Sequence, residues 1–176
     1  PQTESAVLQL NFAAFGAAQF RVYKSMNVDY SNLSDFTAWL SLAREVEPLF
    51  GPMADEAPFQ EAIRDAISTK RAFCIRASAD EKDASLSGGV VIAEEANEII
   101  WLAVAERCRG MGFGRQLLKF AISRLNPQKS IFVQTFDQSV PEGTAARRLY
   151  LASGFVDLKD GGPNPAGIPT VIMQLP

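Results

Sequence analysis

The chain contains no histidine. That absence excludes Ser-His-Asp and Cys-His catalysis and most zinc sites, in which imidazole is the usual base or ligand. Cysteine is scarce too: Cys74 and Cys108 stand far apart without metal-ligand spacing, so no metal is expected. Cys74, in "AFCIR", reads as a small apolar filler of a strand. Cys108 lies between Arg107 and Arg109, where a thiol's pKa can be lowered. No apolar run is long enough to span a bilayer, and no charged start followed by an apolar stretch suggests a signal peptide. The expectation is a cytoplasmic protein without membrane attachment. Charge of one sign is lacking as well. The formal net charge of −3 gives no general attraction to nucleic acid or to an anionic surface, so any basic site must be local.

What is present is an ordinary globular composition, 47% apolar and 21% charged over 176 residues, which suits a single domain over 1–176 with a poorly defined lead-in over 1–19. A strand is expected near Phe20 to Met26. "SNLSDFTAWLSLAREVEPLF" predicts a helix capped by Ser31 or Ser34, with Phe36, Leu40, Ala43 and Val46 or Phe50 on one face and a stop at Pro48 or the following "GP". "APFQEAIRDAISTK" predicts a second, with Phe59, Ile63 and Ile67 aligned. "AFCIRAS", "LSGGVVIAEE" and "EIIWLAVA" are β-rich runs suited to a meander. A third helix follows with Leu118, Ala121, Ile122 and Leu125 inward. Then come the strand "SIFVQTF", the short helix "GTAARRLYLAS" closed by Gly154, a loop "KDGGPNPAGIP" and a last strand. The fold class is α/β, a mixed sheet with helices on its faces.

The most informative stretch is "RGMGFGR", Arg109–Arg115, at the start of the third helix. Glycines at 110, 112 and 114 cost backbone entropy and add nothing to a core, so close approach of a ligand to the backbone would account for them. A helix start offers N–H groups without intrahelical partners and partial positive charge, and the flanking arginines can complete a pyrophosphate cradle. A dinucleotide fingerprint would need glycine at 115, and a P-loop would need Gly-Lys-Ser/Thr. Neither fits.

The spacing that fits is Arg-x-x-Gly-x-Gly, carried by Arg109, Gly112 and Gly114 directly after a strand ending "LAV". It resembles the coenzyme-A-binding motif of the GNAT superfamily of N-acetyltransferases. "TAARRLYLASGF" resembles the later helix of the same family through Ala146, Leu149, Tyr150, Gly154 and Phe155. The resemblance implies a mostly antiparallel central sheet whose fourth and fifth strands splay apart, with helices on both faces. It implies that acetyl-coenzyme A is the cosubstrate, its pyrophosphate on the backbone of Gly110, Met111, Gly112, Phe113, Gly114 and Arg115, with Arg109 and Arg115 neutralising it. The pantetheine arm would lie along "EIIWLAVA" against the backbone of Leu102 and Val104, beside the small Ala146. Tyr150 matches the usual general acid for the departing thiolate. Glu98, six residues before Val104, matches the glutamate base of the histone-acetylating branch, with a solvated strand-end glutamate as the bland alternative.

Gly143 departs from the pattern, since many members carry an asparagine there. On the acceptor side the resemblance places the first two helices and the loop before the last strand. Glu45, Glu47, Asp55 and Glu56 there would form either an acidic mouth or merely a solvated face. The implied activity is acetyl transfer to a primary amine of a small molecule or a protein, by direct transfer in a ternary complex. The alternatives are a non-catalytic acyl-coenzyme A sensor and an acyltransferase using a longer chain or an oxygen acceptor. Homodimerisation is common in the fold and is left open by the sequence.

Overall fold

A computed structural model describes residues 27–76 and 85–176. The lead-in and the strand expected near Phe20–Met26 lie outside them. The described strands are β1 (Asp29–Tyr30), β2 (Ala72–Arg76), β3 (Leu86–Ala93), β4 (Glu98–Val104), β5 (Ile131–Phe136), β6 (Val156–Pro163) and β7 (Pro169–Leu175). They form one sheet in the order β1-β2-β3-β4-β5-β7-β6. Every neighbouring pair is antiparallel except β4 and β5, which run parallel. The helices are α1 (Phe36–Phe50), α2 (Ala57–Ser68), α3 (Phe113–Arg124) and α4 (Thr144–Leu151).

Two adjacent glycines show that helices cover both faces. A Cβ on Gly88 would lie 2.9 Å from Leu117 of α3, while one on Gly89 would lie 2.5 Å from the Trp39 ring of α1. Successive strand residues point to opposite faces, so α3 packs on one side of β3 and α1 on the other. Trp39, Trp101 of β4 and Phe59 of α2 then form one aromatic layer, with ring centroids 5.5 and 6.5 Å apart. On the other side Phe120 of α3 meets Phe73 of β2 at 5.0 Å. The expected inward face of α1 is partly shifted: Ala38, Trp39, Leu42, Ala43 and Val46 are buried, and Phe36 and Leu40 are only half-buried. Pro48 lies inside the helix, which ends at Gly51 with φ 96°. A 3-10 turn over Leu33–Asp35, with a capping box of Asn32 and Asp35, leads into the helix, whose own N-cap is Asp35 rather than a serine. In α3 the buried set is Phe113, Leu117, Leu118 and Ala121.

The β4–β5 joint positions the site. Only Glu98↔Phe132 and Ile99↔Val133 pair across it. The register of β4 against β3 passes from Val91↔Trp101 to Ile92↔Ile99, so Ile100 is an extra residue, a β-bulge. A bulge bends its strand and ends regular pairing. Beyond it β4 follows β3 as far as Val104, β5 follows β7 as far as Phe136, and the two diverge. The expected splay is present, and the bulge is its physical cause.

Asn97 pins the closed end of this wedge. Its backbone is left-handed, with φ 55°. Its amide nitrogen donates to the carbonyls of Asn126, Lys129 and Ser130 at 3.2, 3.1 and 3.0 Å. Its Oδ1 accepts the Asn126 N–H at 2.8 Å, and its carbonyl accepts the Phe132 N–H at 3.0 Å.

Candidate active site

At the open end of the wedge β4 stops at Val104, and a 3-10 turn over Glu106–Cys108 leads into the glycine loop. Gly110 and Gly112 have φ of 77° and 87°, a region that disfavours L side chains, and no atom lies within 4 Å of where their Cβ would stand. These two glycines are therefore required by backbone conformation, with open space above them. Gly114 has a different reason. A Cβ there would meet Leu149 at 3.2 Å and Val104 at 3.7 Å, so its smallness lets α3 pack against α4 and the end of β4. Close ligand approach, the reason expected for all three, is compatible with the first two and is not what fixes the third.

Gly112 caps α3, and the first intrahelical bond runs from the Gln116 N–H to the Gly112 carbonyl at 3.1 Å. Gly114 and Arg115 thus sit in the first turn, where N–H groups precede the helical ladder. No acidic residue occupies that turn. Arg109 and Arg115 are exposed, and neither has a carboxylate partner among the described residues, whereas Arg44, Arg71, Arg76 and Arg147 are all ion-paired. Two unpaired cations at the positive end of a helix repel locally. An anion resolves the conflict. Met111 is exposed beside them, while the Phe113 side chain is fully buried and anchors the helix start in the core.

Ala146 and Tyr150 lie on α4, which packs on β5. Ala146 is half-buried. Tyr150 is only 5% exposed, and its ring stands edge-on to Phe155 at 5.5 Å. Burial pushes its phenol pKa well above the ordinary value, so the group holds its proton more tightly than a free phenol. Leu102 pairs with Val90 and Val104 with Gly88, on the α3 face. Glu98 pairs with Ala93, and Trp101 with Val91, on the face of Gly89 that α1 covers. Regular alternation would have put Glu98 on the same side as Leu102 and Val104. The bulge at Ile100 turns it to the α1 side instead, a feature that nothing in the apolar run "EIIWLAV" announces. The Trp101 indole N–H is buried there without a partner among the described residues.

Three of the four carboxylates on the acceptor side have local partners, and Glu56 is exposed. Arg44 pairs with Asp55 at 2.6 Å. Glu47 accepts the N–H groups of Met53 and Ala54 at 2.9 and 2.8 Å, which hold its carboxyl below its ordinary pKa. Glu45 accepts the Glu106 N–H at 3.0 Å. Cys108 is buried at 2% exposure, which leaves it no access for chemistry in solution. Gly143 is explained by packing. A Cβ there would overlap the Phe136 side chain, so the asparagine common in the family has no room. Among the described residues no group of His, Cys, Asp or Glu is arranged to hold a metal, and no helix is long and apolar enough to cross a membrane.

Residues 71–157 match the sequence profile described as an acetyltransferase (GNAT) domain. Solved structures share the fold. An acetyltransferase of the GNAT family from Bacillus cereus aligns with TM-score 0.63 and 18% identity over 84% of this chain and 94% of its own. The NatC complex bound to Gag peptide and CoA gives 0.64 and 18% over 86% and 99%. The ribosomal-protein-S18-alanine N-acetyltransferase of Escherichia coli gives 0.60 and 16% over 85% and 92%. No curated protein matches the sequence significantly. The profile marks residues 71–157 as a GNAT acetyltransferase domain, and the fold around it is that of GNAT-family structures. The class of chemistry is acyl transfer.

Proposed function

We propose that the protein is an acetyl-coenzyme-A-dependent N-acetyltransferase acting on a primary amine of a small molecule or a protein. The observation that carries this reading is the Arg109–Arg115 loop: two left-handed glycines under open space, a first helical turn without an acid, and two arginines without carboxylates among the described residues, set at the mouth of the β4–β5 wedge. A diphosphate suits that loop. The edge of β4 that β5 leaves beyond Ile99 offers the backbone of Leu102 and Val104 to the amides of the pantetheine arm, in the manner of an added strand.

In the reaction the amine nitrogen bonds the acetyl carbon and the carbon–sulfur bond breaks. Glu98, on the α1 side, takes the proton that the ammonium must lose. Tyr150, protonated at neutral pH, gives its proton to the departing thiolate, a transfer that its burial opposes and the charge building on sulfur favours. Ala146 leaves room for the arm beside α4.

Calorimetric titration with acetyl-coenzyme A, desulfo-coenzyme A and ATP tests the reading. Both coenzyme A species should bind, and Arg109→Ala and Arg115→Ala should each weaken them about tenfold, as loss of a charge-assisted contact does. ATP binding as tightly would reduce the loop to a general anion site. Binding without release of free thiol across a panel of amines would point to a non-catalytic holder of acyl-coenzyme A.

A further inference from the structure

The last turns of α1 touch three loops within six residues. Glu45 Oε2 accepts the backbone N–H of Glu106 at 3.0 Å, and its other oxygen lies 3.9 Å from Arg107 Nη1. Glu47 holds the α1–α2 loop through Met53 and Ala54. The Leu49 carbonyl accepts the Asn164 side-chain amide of the β6–β7 loop at 2.7 Å. The Phe50 ring meets Phe136 at the end of β5, 5.2 Å away.

The Glu45 contact differs from the others in what it holds. Glu106 opens the 3-10 turn that delivers Arg109 to the loop, and the N–H that opens such a turn has no acceptor within it. The acceptor comes from α1 instead. Arg107, beside it in the turn, reaches the far side through Ser85 Oγ at 2.8 Å. The turn is thus held from outside at the point where its own sequence cannot hold it.

We propose that Glu45 is a positioning residue for the diphosphate loop: acting through the Glu106 N–H, it sets the approach of Arg109 and Gly110, and so makes cofactor affinity depend on a helix of the acceptor side. The inference rests on the function proposed above. The ion pair with Arg107 is half exposed and long, and such pairs contribute little. The N–H bond is the working contact.

The test is coenzyme A titration of wild type, Glu45→Ala and Glu45→Gln, with thermal midpoints measured alongside. Glutamine keeps an oxygen for the N–H and loses the charge. Glu45→Ala should bind coenzyme A about fivefold to tenfold more weakly, and Glu45→Gln should stay within about twofold of wild type. S-acetylpantetheine, which lacks the diphosphate, should compete equally well with both variants and with wild type in NMR titration. Coenzyme A affinity unchanged in Glu45→Ala would overturn the proposal. So would Glu45→Gln falling as far as alanine, or an equal loss for S-acetylpantetheine, which would mark general damage. Wild type that binds no coenzyme A would instead remove the functional reading itself.

Discussion

Asn97 offers the sharpest test of how the wedge is held. Its side chain is 3% exposed and makes four hydrogen-bond contacts to the segment joining α3 and β5, three of them shared by the two N–H groups of its amide. A typical bond contributes about 1 kcal/mol net, and leaving buried carbonyls unpaired costs more, although water can reach some of them. Asn97→Gly removes the bonds but tolerates φ of 55°, so it should lose about 2–3 kcal/mol. Asn97→Ala adds the strain of a left-handed alanine, about 1 kcal/mol more. For a chain of this size each kcal/mol shifts Tm by about 2–4 °C. The measurement is urea unfolding, with the shift read from the midpoint at constant m. Asn97→Ala within about 1 kcal/mol of wild type would show that the four bonds are idle. Glycine falling as low as alanine would show that backbone strain is absent.

Tyr150→Phe should lower kcat by about 10²–10⁴ while the acetyl-coenzyme A Kd stays within about twofold, a split that separates an acid from a packing residue; unchanged kcat would remove Tyr150 from the chemistry. Because burial raises this phenol's pKa in the folded state, its contribution to stability is complete below about pH 10 and is lost as pH rises beyond it. Wild type should therefore lose stability more steeply than Tyr150→Phe above that pH, and parallel unfolding curves would contradict the burial. Gly143→Asn should lower the urea midpoint by the equivalent of about 1–3 kcal/mol, through overlap with Phe136, and gain no cofactor affinity. Tighter coenzyme A binding by that variant would show that the family's asparagine is missing for another reason.

Periodicity made α2, β2, β3 and β7 legible, because each buries an apolar set at its own repeat: Ile63 and Ile67 four apart on α2, "AFCI" continuous in β2. It could not reveal β6. "VDLKDGGP" is almost wholly exposed, alternates only over Val156–Lys159 and carries two glycines, so its partner β7 more than its own sequence makes it a strand. The glycine loop was legible as an anion site. Its three glycines were not separable into conformational and packing roles, since Leu149 meets Gly114 only once α4 folds back. The local ties of three acceptor-side carboxylates, Glu45, Glu47 and Asp55, were hidden for a similar reason. Whether a surface acid is free or tied to an N–H depends on loops distant in sequence, as Glu45 and Glu106 show.

Two of this molecule's local conflicts border the glycine loop. β4 leaves part of an edge unpaired in the middle of a sheet, a liability that strands normally avoid. Ile100, inside that sheet, is 50% exposed. α3 opens with arginines where its dipole favours acids. Among the described residues the buried polar side-chain atoms without a partner are Ser87 Oγ, Trp101 Nε1 and Arg147 Nη1. The Ser87 carbonyl holds the Ala105 N–H at 3.0 Å, Trp101 is on β4, and Arg147 follows Ala146 on α4. Of these only Trp101 is on β4 itself; the Arg147 guanidinium pairs with Asp157 of β6. The unpaired inner edge of β4 and the basic first turn of α3 are local costs that folding alone does not explain, and both border the segment from Val104 to Arg115.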